Sequence, residues 1–239
     1  MEMYVNTLVD VFERKLKAGN DAEIKMELKK SFVELKNIFP QSQEDYAVRV
    51  SEVLFKYGLD AINTHDYYKL LDTLDWVSDV FYEYPEFEKV ALVFILLTGG
   101  MLELKLETDD LGELDAYQNI LKSILEYCSL TEKVALQCMI SYANLQTCCA
   151  MTAKSKSVFP VELSFIKENI DQMESISSKF PNHAELNLIY CRSLAAFAYD
   201  LSGHPNREMY RDILQLLKNL VKTRKFDVPE AVTDFLREA

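Results

Sequence analysis

Three features of the sequence predict an all-α chain built as a stack of antiparallel helix hairpins, about 11 helices in all. Apolar residues recur at intervals of three and four from Tyr4 onward, and no alternating β-branched stretch bounded by tight turns interrupts them. The five letters Glu-Lys-Val-Ala-Leu begin at both Glu88 and Glu132, a spacing of 44 residues. Looser copies flank them: Phe39-Pro40 precedes Ala47, which aligns with Ala91, and Phe180-Pro181-Asn182-His183-Ala184 restates Tyr84-Pro85-Glu86-Phe87. The first helix of each central pair is apolar on most sides and carries small residues, such as Ala91, Gly99 and Gly100, or Ala195, Ala196 and Ala198. Such a helix is buried, with neighbouring backbones close to it.

The elements follow in order. Helix one, about Met3 to Lys17, ends at Ala18-Gly19-Asn20, where glycine supplies the left-handed closing conformation. Helix two, Asp21 to Ile38, takes Asp21 as its N-cap and shows one stripe, Ile24, Leu28, Phe32 and Leu35. Further helices are expected at about Gln43 to Asn63, Asp66 to Glu83, Glu86 to Glu107, Asp110 to Tyr127, Thr131 to Thr152, Pro160 to Lys179, Asn182 to Leu201 and Asn206 to Arg224. Short links between them force antiparallel neighbours. Ala153 to Phe159 is the one long insertion, and it lengthens the last repeat step. Pro229 stands at the first position of a short terminal helix, where its missing donor costs nothing. The expected organisation is one domain over 1–239: a capping hairpin (1–40), repeat hairpins (41–225) and a capping helix (226–239).

Pro181-Asn182-His183-Ala184-Glu185, followed by an apolar helix, a short turn and a second helix ending before Pro229, resembles the opening of a tetratricopeptide-type hairpin. The resemblance spans roughly Gln43 to Leu236 and is carried mainly around Pro181 and Pro85. The 44-residue period departs from the 34 of that family, and Cys191 stands near its usual Gly or Ala, so the family's ligand-holding positions do not transfer. The resemblance implies a right-handed α-solenoid and a protein-binding scaffold.

With 38 acidic against 26 basic residues, a net charge of -12, the chain lacks the basic face that a phosphate backbone requires. A basic protein or peptide is the easier partner, and nucleic acid is not expected. The apolar run Val90 to Leu102 is shorter than a membrane span, and the N-terminus lacks the pattern of a signal peptide, so the expected location is the cytoplasm. Charge is uneven: Asp60 to Asp115 holds fourteen acids and three bases, while Arg207, Arg211, Lys218, Lys222, Arg224 and Lys225 enrich the C-terminal part. That asymmetry allows head-to-tail self-association.

Asp109-Asp110-Leu111-Gly112-Glu113 matches half of the paired magnesium motifs of all-α terpene-type synthases, but the second motif is missing. A metal-dependent enzyme using the acids of 103–115 (Glu103, Glu107, Asp109, Asp110, Glu113 and Asp115) is therefore the alternative to a scaffold. His65, His183 and His204 fall at turns, so neither a triad nor a two-histidine metal site is expected. No cofactor, no metal and no enzymatic activity are expected. The five cysteines lack metal-ligand spacing and read as buried thiols, with the adjacent Cys148 and Cys149 as the alternative redox pair.

The candidate partner-binding residues are Tyr68, Asp72, Asp75, Trp76, Asp79 and Glu83. A 100° step puts them opposite Leu70, Leu74, Val77 and Phe81, so the only tryptophan shares a face with four carboxylates. That face is expected to dock a basic segment, with a cation over the Trp76 ring.

Overall fold

The computed structural model describes residues 2–108, 113–155, 163–202 and 207–239. Among these the chain is all-α: α1 (Glu2–Ala18), α2 (Asp21–Ile38), α3 (Gln43–Asn63), α4 (Tyr67–Glu83), α5 (Glu88–Thr108), α6 (Leu114–Tyr127), α7 (Glu132–Ser155), α8 (Leu163–Lys179), α9 (Ala184–Leu201), α10 (Arg207–Thr223) and α11 (Glu230–Glu238). A single 3₁₀ turn, Pro40–Ser42, enters α3. No helix among the described residues is long and apolar enough to cross a membrane.

Local chemistry sets the helix ends. Gly19 adopts φ 71° and its N–H reaches back to the Lys15 and Leu16 carbonyls, closing α1. The turn is so short that Asn20, not Asp21, becomes the cap of α2, its side chain accepting from the Glu23 N–H at 3.4 Å. Asp66 caps α4 by accepting from the Lys69 N–H at 3.0 Å, and His183 Nδ1 caps α9 by accepting from the Leu186 N–H at 3.3 Å. Pro229 is the N-cap of α11 rather than its first helical residue. Helix α7 runs through Ser155, because Ala153 and Lys154 favour helix and continuation satisfies their backbone groups. The expected insertion is helical in its first three residues, and 156–159 lie outside the described residues.

The helices fall into two compact units, Met1–Glu107 with Ser123–Val134, and Thr108–Lys122 with Ala135–Ala239. In the first unit, α1 packs on α2 and α3, and α2 on α3 and α4. The α3–α4 hairpin is antiparallel: Asp60 meets Lys69 near the turn, and Tyr57 meets Trp76 farther from it. Phe32 of α2 sets its ring edge-on to Tyr46 of α3 (6.1 Å) and to Tyr84 at the end of α4 (5.3 Å). In the second unit, α9 packs against α8, α10 and α11. Asn187 joins α9 to the end of α8 by accepting from Ser177 Oγ at 2.8 Å and donating to the Pro181 carbonyl at 2.9 Å. Gln118 Nε2 donates to Asn169 Oδ1 at 2.7 Å, which ties α6 to α8 inside the core.

Burial recurs with the same spacing as the letters. In α5, Val90, Ala91, Phe94, Ile95, Thr98, Leu102 and Lys105 are buried; 44 positions later so are Val134, Ala135, Cys138, Met139, Tyr142, Gln146 and Cys149 of α7. The same register 44 positions earlier is Tyr46, Ala47, Val50, Ser51, Leu54, Gly58 and Ala61 of α3. The alternate helices behave alike: Leu70, Thr73, Leu74, Val77 and Val80 of α4 recur as Leu114, Tyr117, Gln118, Leu121 and Ile124 of α6. They recur again as Ile166, Asn169, Ile170, Met173 and Ile176 of α8, after the longer step that the insertion imposes. Packed helices with a shared buried register are compatible with a helical repeat.

Small residues in the buried helices have the predicted use. A Cβ on Gly58 would stand 2.6 Å from Leu97 Cδ2 and 3.2 Å from Thr73 Cγ2, and one on Gly100 would stand 2.3 Å from Ile62 Cδ1. Gly58 thus lets α5 lie close against the α3–α4 hairpin. Gly58→Val, which puts three heavy atoms into this contact, is expected to destabilise the chain by about 1–3 kcal/mol, read as a lower urea midpoint.

Candidate functional site

Helix α4 turns its apolar stripe, Leu70, Thr73, Leu74, Val77, Val80 and Phe81, into the core. Its exposed side carries Tyr68, Leu71, Asp72, Asp75, Tyr82 and Glu83, with Asp79 half-buried. Five of the six candidate residues therefore reach that side or its border. Tyr68 is 78% exposed and lies edge-on to Tyr67 with ring centroids 5.8 Å apart. Leu71 and Tyr82 also belong to this surface, and sequence reasoning missed them. The available signal was their spacing of three and fourteen from Tyr68, which keeps them on one side of a helix.

Trp76 requires a correction. It is 3% exposed, and its ring is not open to a partner's cation. The indole lies 6.0 Å from the Tyr57 ring, and its N–H donates to Asp21 Oδ1 of α2 at 2.7 Å. A position opposite the apolar stripe is buried because α4 is covered by two neighbours, α3 and α2, and a wheel drawn from one helix registers only one. The same helix α2 meets the acids: Lys25 forms an ion pair with Asp75 and lies 3.9 Å from Asp21. A charge-assisted bond of the Trp76–Asp21 kind contributes roughly 1.5–3 kcal/mol, whereas the exposed ion pair contributes little.

Asp72 sits where this arrangement leaves excess negative charge. Partial burial and the neighbouring carboxylates of Asp21 and Asp75 raise its pKa, and Lys25 compensates in part. The face therefore carries an excess of negative charge, with the exposed Tyr68, Leu71 and Tyr82 beside it.

The alternative acidic group is only partly described. Glu103 and Glu107 are exposed on α5, and Glu107 Oε2 lies 3.0 Å from His65 Nε2. Asp109 and Asp110 lie outside the described residues, while Glu113 and Asp115 are exposed around the start of α6. Among the described residues, no group of three or more His, Cys, Asp or Glu is placed to hold a metal ion. His183 is occupied as the cap of α9, and His204 lies outside the described residues.

All five cysteines are buried thiols outside any disulfide. Burial, then the adjacent Cys148, pushes the Cys149 thiol up to about 12, and burial likewise raises Cys191 to about 11. A thiol held protonated is a poor nucleophile, and the Cys149 and Cys191 side chains are packed in the core. Comparison of the chain with protein-family models, with curated proteins and with solved structures finds no match.

Two measurements check this geometry. Trp76 emission is expected to resist iodide quenching in the folded chain and to become quenchable on unfolding; easy quenching in the folded state would place the ring in water. Because the folded pKa of Asp72 lies above its unfolded value, ionisation costs stability, and the cost grows as pH rises from the unfolded pKa through the folded one. Asp72→Asn is therefore expected to raise stability at neutral pH by a few tenths of a kcal/mol, solvent screening keeping the gain small, with no gain below about pH 3.

Proposed function

We propose that this chain is a protein-binding scaffold, a tetratricopeptide-like α-solenoid in which the outer face of α4 takes a basic segment of a protein partner. The observation that carries the reading is the alternation on that face of Tyr68, Leu71 and Tyr82 with Asp72, Asp75 and Glu83, all exposed on one rigid helix. Aromatic and leucine side chains supply apolar contact, and the carboxylates supply charge-assisted hydrogen bonds to Lys or Arg. The recurring buried register supports the repeat architecture, since repeat arrays present extended helix faces of this kind.

Lys25 already holds Asp75, so an incoming base exchanges with it or uses Asp72 and Glu83. Binding is consequently expected to be modest and salt-sensitive. On an array of random-sequence peptides, the bound sequences should be enriched in Lys and Arg. Tyr68→Ala combined with Asp72→Lys should weaken the best of them about tenfold while circular dichroism stays unchanged. Bound peptides without a basic bias, or affinities that ignore both the substitutions and salt, would count against this face.

A further inference from the structure

Helix α2 offers, uncovered, the same face by which α4 receives α2. Aligning the buried positions Ile24, Leu28, Ser31 and Leu35 with Leu70, Leu74, Val77 and Phe81 sets Met26, Lys29, Lys30 and Val33 against Asp72, Asp75, Trp76 and Asp79. On α4 these positions adjoin α2, with Trp76 buried and the acids at the margin: Trp76 bonds Asp21, Asp75 pairs with Lys25, and Asp72 and Asp79 both lie in the field of Lys25. On α2 all four positions are exposed. Met26 is 64% exposed and Val33 is 61% exposed, and Lys29 and Lys30 make no ion pair among the described residues. A shallow depression follows this stripe, bounded by Ala22, Met26, Val33 and the three lysines 25, 29 and 30.

The charge on this face is the reverse of that on α4. Where α4 presents carboxylates to an incoming lysine, α2 presents lysines around a methionine and a valine. Glu34, the one acid bounding the depression, is held by the Tyr4 hydroxyl of α1. Two exposed apolar side chains seven residues apart match one stripe of a helix laid alongside, and unpaired lysines at its margins match carboxylates on that helix. A second copy docking α2 on α2 would bring Lys29 and Lys30 toward their own counterparts, which like-charge repulsion opposes.

We infer that the Met26–Val33 stripe of α2 is a docking site for an acidic amphipathic helix of a partner protein. The site extends the scaffold reading to a second face with opposite charge preference. Its failure is distinguishable from failure of the α4 site, because the probe here is acidic and the substitutions lie on another helix.

The test uses the full chain and two fluorescein-labelled, stapled helical peptides with leucine at every third or fourth position. One carries Glu at the flanking positions and the other carries Lys, and binding is read by fluorescence anisotropy. The expected result is saturable binding of the Glu peptide only, weakening as salt rises. Both Met26→Asp with Val33→Asp and Lys29→Glu with Lys30→Glu should reduce the affinity at least about tenfold. All four positions are exposed, and circular dichroism should show both variants folded. The equal charge change Lys218→Glu with Lys222→Glu on α10 should leave affinity unchanged. Absence of binding, equal binding of the Lys peptide, or indifference to the α2 substitutions would overturn the inference. So would a dimer in sedimentation equilibrium that Met26→Asp dissolves, since that result assigns the face to a second copy.

Discussion

Each helix longer than the short α11 must bury a stripe of residues at three- and four-residue spacing, and the register of that stripe is the constraint from which the remaining features follow. Once Leu70, Leu74, Val77 and Phe81 enter the core, the rest of α4 is assigned to α3, to α2 or to water. The same holds for α2, where Ile24, Leu28, Ser31 and Leu35 leave Met26, Lys30 and Val33 outside. Burial of apolar area is non-directional. Specificity of pairing therefore comes from close contacts such as Gly58 against Leu97, and from polar bonds that cross helices, among them Trp76 to Asp21, Gln118 to Asn169 and Ser177 to Asn187.

Those polar bonds also shape the surface. Asp21 is released from capping because Asn20 takes that role, and its carboxylate is then free to accept the Trp76 indole N–H. Lys25, one helical turn farther along α2, answers Asp75. The contact between α2 and α4 thus removes the tryptophan from the acidic face and neutralises part of that face. Tyr68, Leu71 and Tyr82 remain exposed on that face, while the Trp76 ring, expected to take a cation, is buried. Lys105 shows the same economy in the interior: fully buried on α5, it sits over the Tyr67 ring at 5.1 Å.

The helix class, the number of helices and most of their ends were legible in the chain, because periodicity, caps and breakers act within a few residues of one another. Helices α2 and α3 fall on their expected bounds, and Gly19 closes α1 as expected. The 44-residue spacing was legible at Glu88 and Glu132, where identical letters open α5 and α7. The weaker copy in α3 became clear only as burial, since Tyr46 shares a position with Val90 and Val134 without sharing their residue. Trp76, whose bond reaches a helix distant in the chain, was not placed from the sequence.

By itself, then, the sequence determined the apolar stripes of α2 and α4 and where most helices stop, since both depend on spacing along one chain segment. Which outward positions stay exposed was decided only by tertiary structure. Trp76 and Lys30 occupy equivalent places on α4 and α2, yet one is sealed by a neighbouring helix and the other is open to solvent. The difference comes from a helix that crosses one of them from more than fifty residues away, an arrangement that no local pattern encodes.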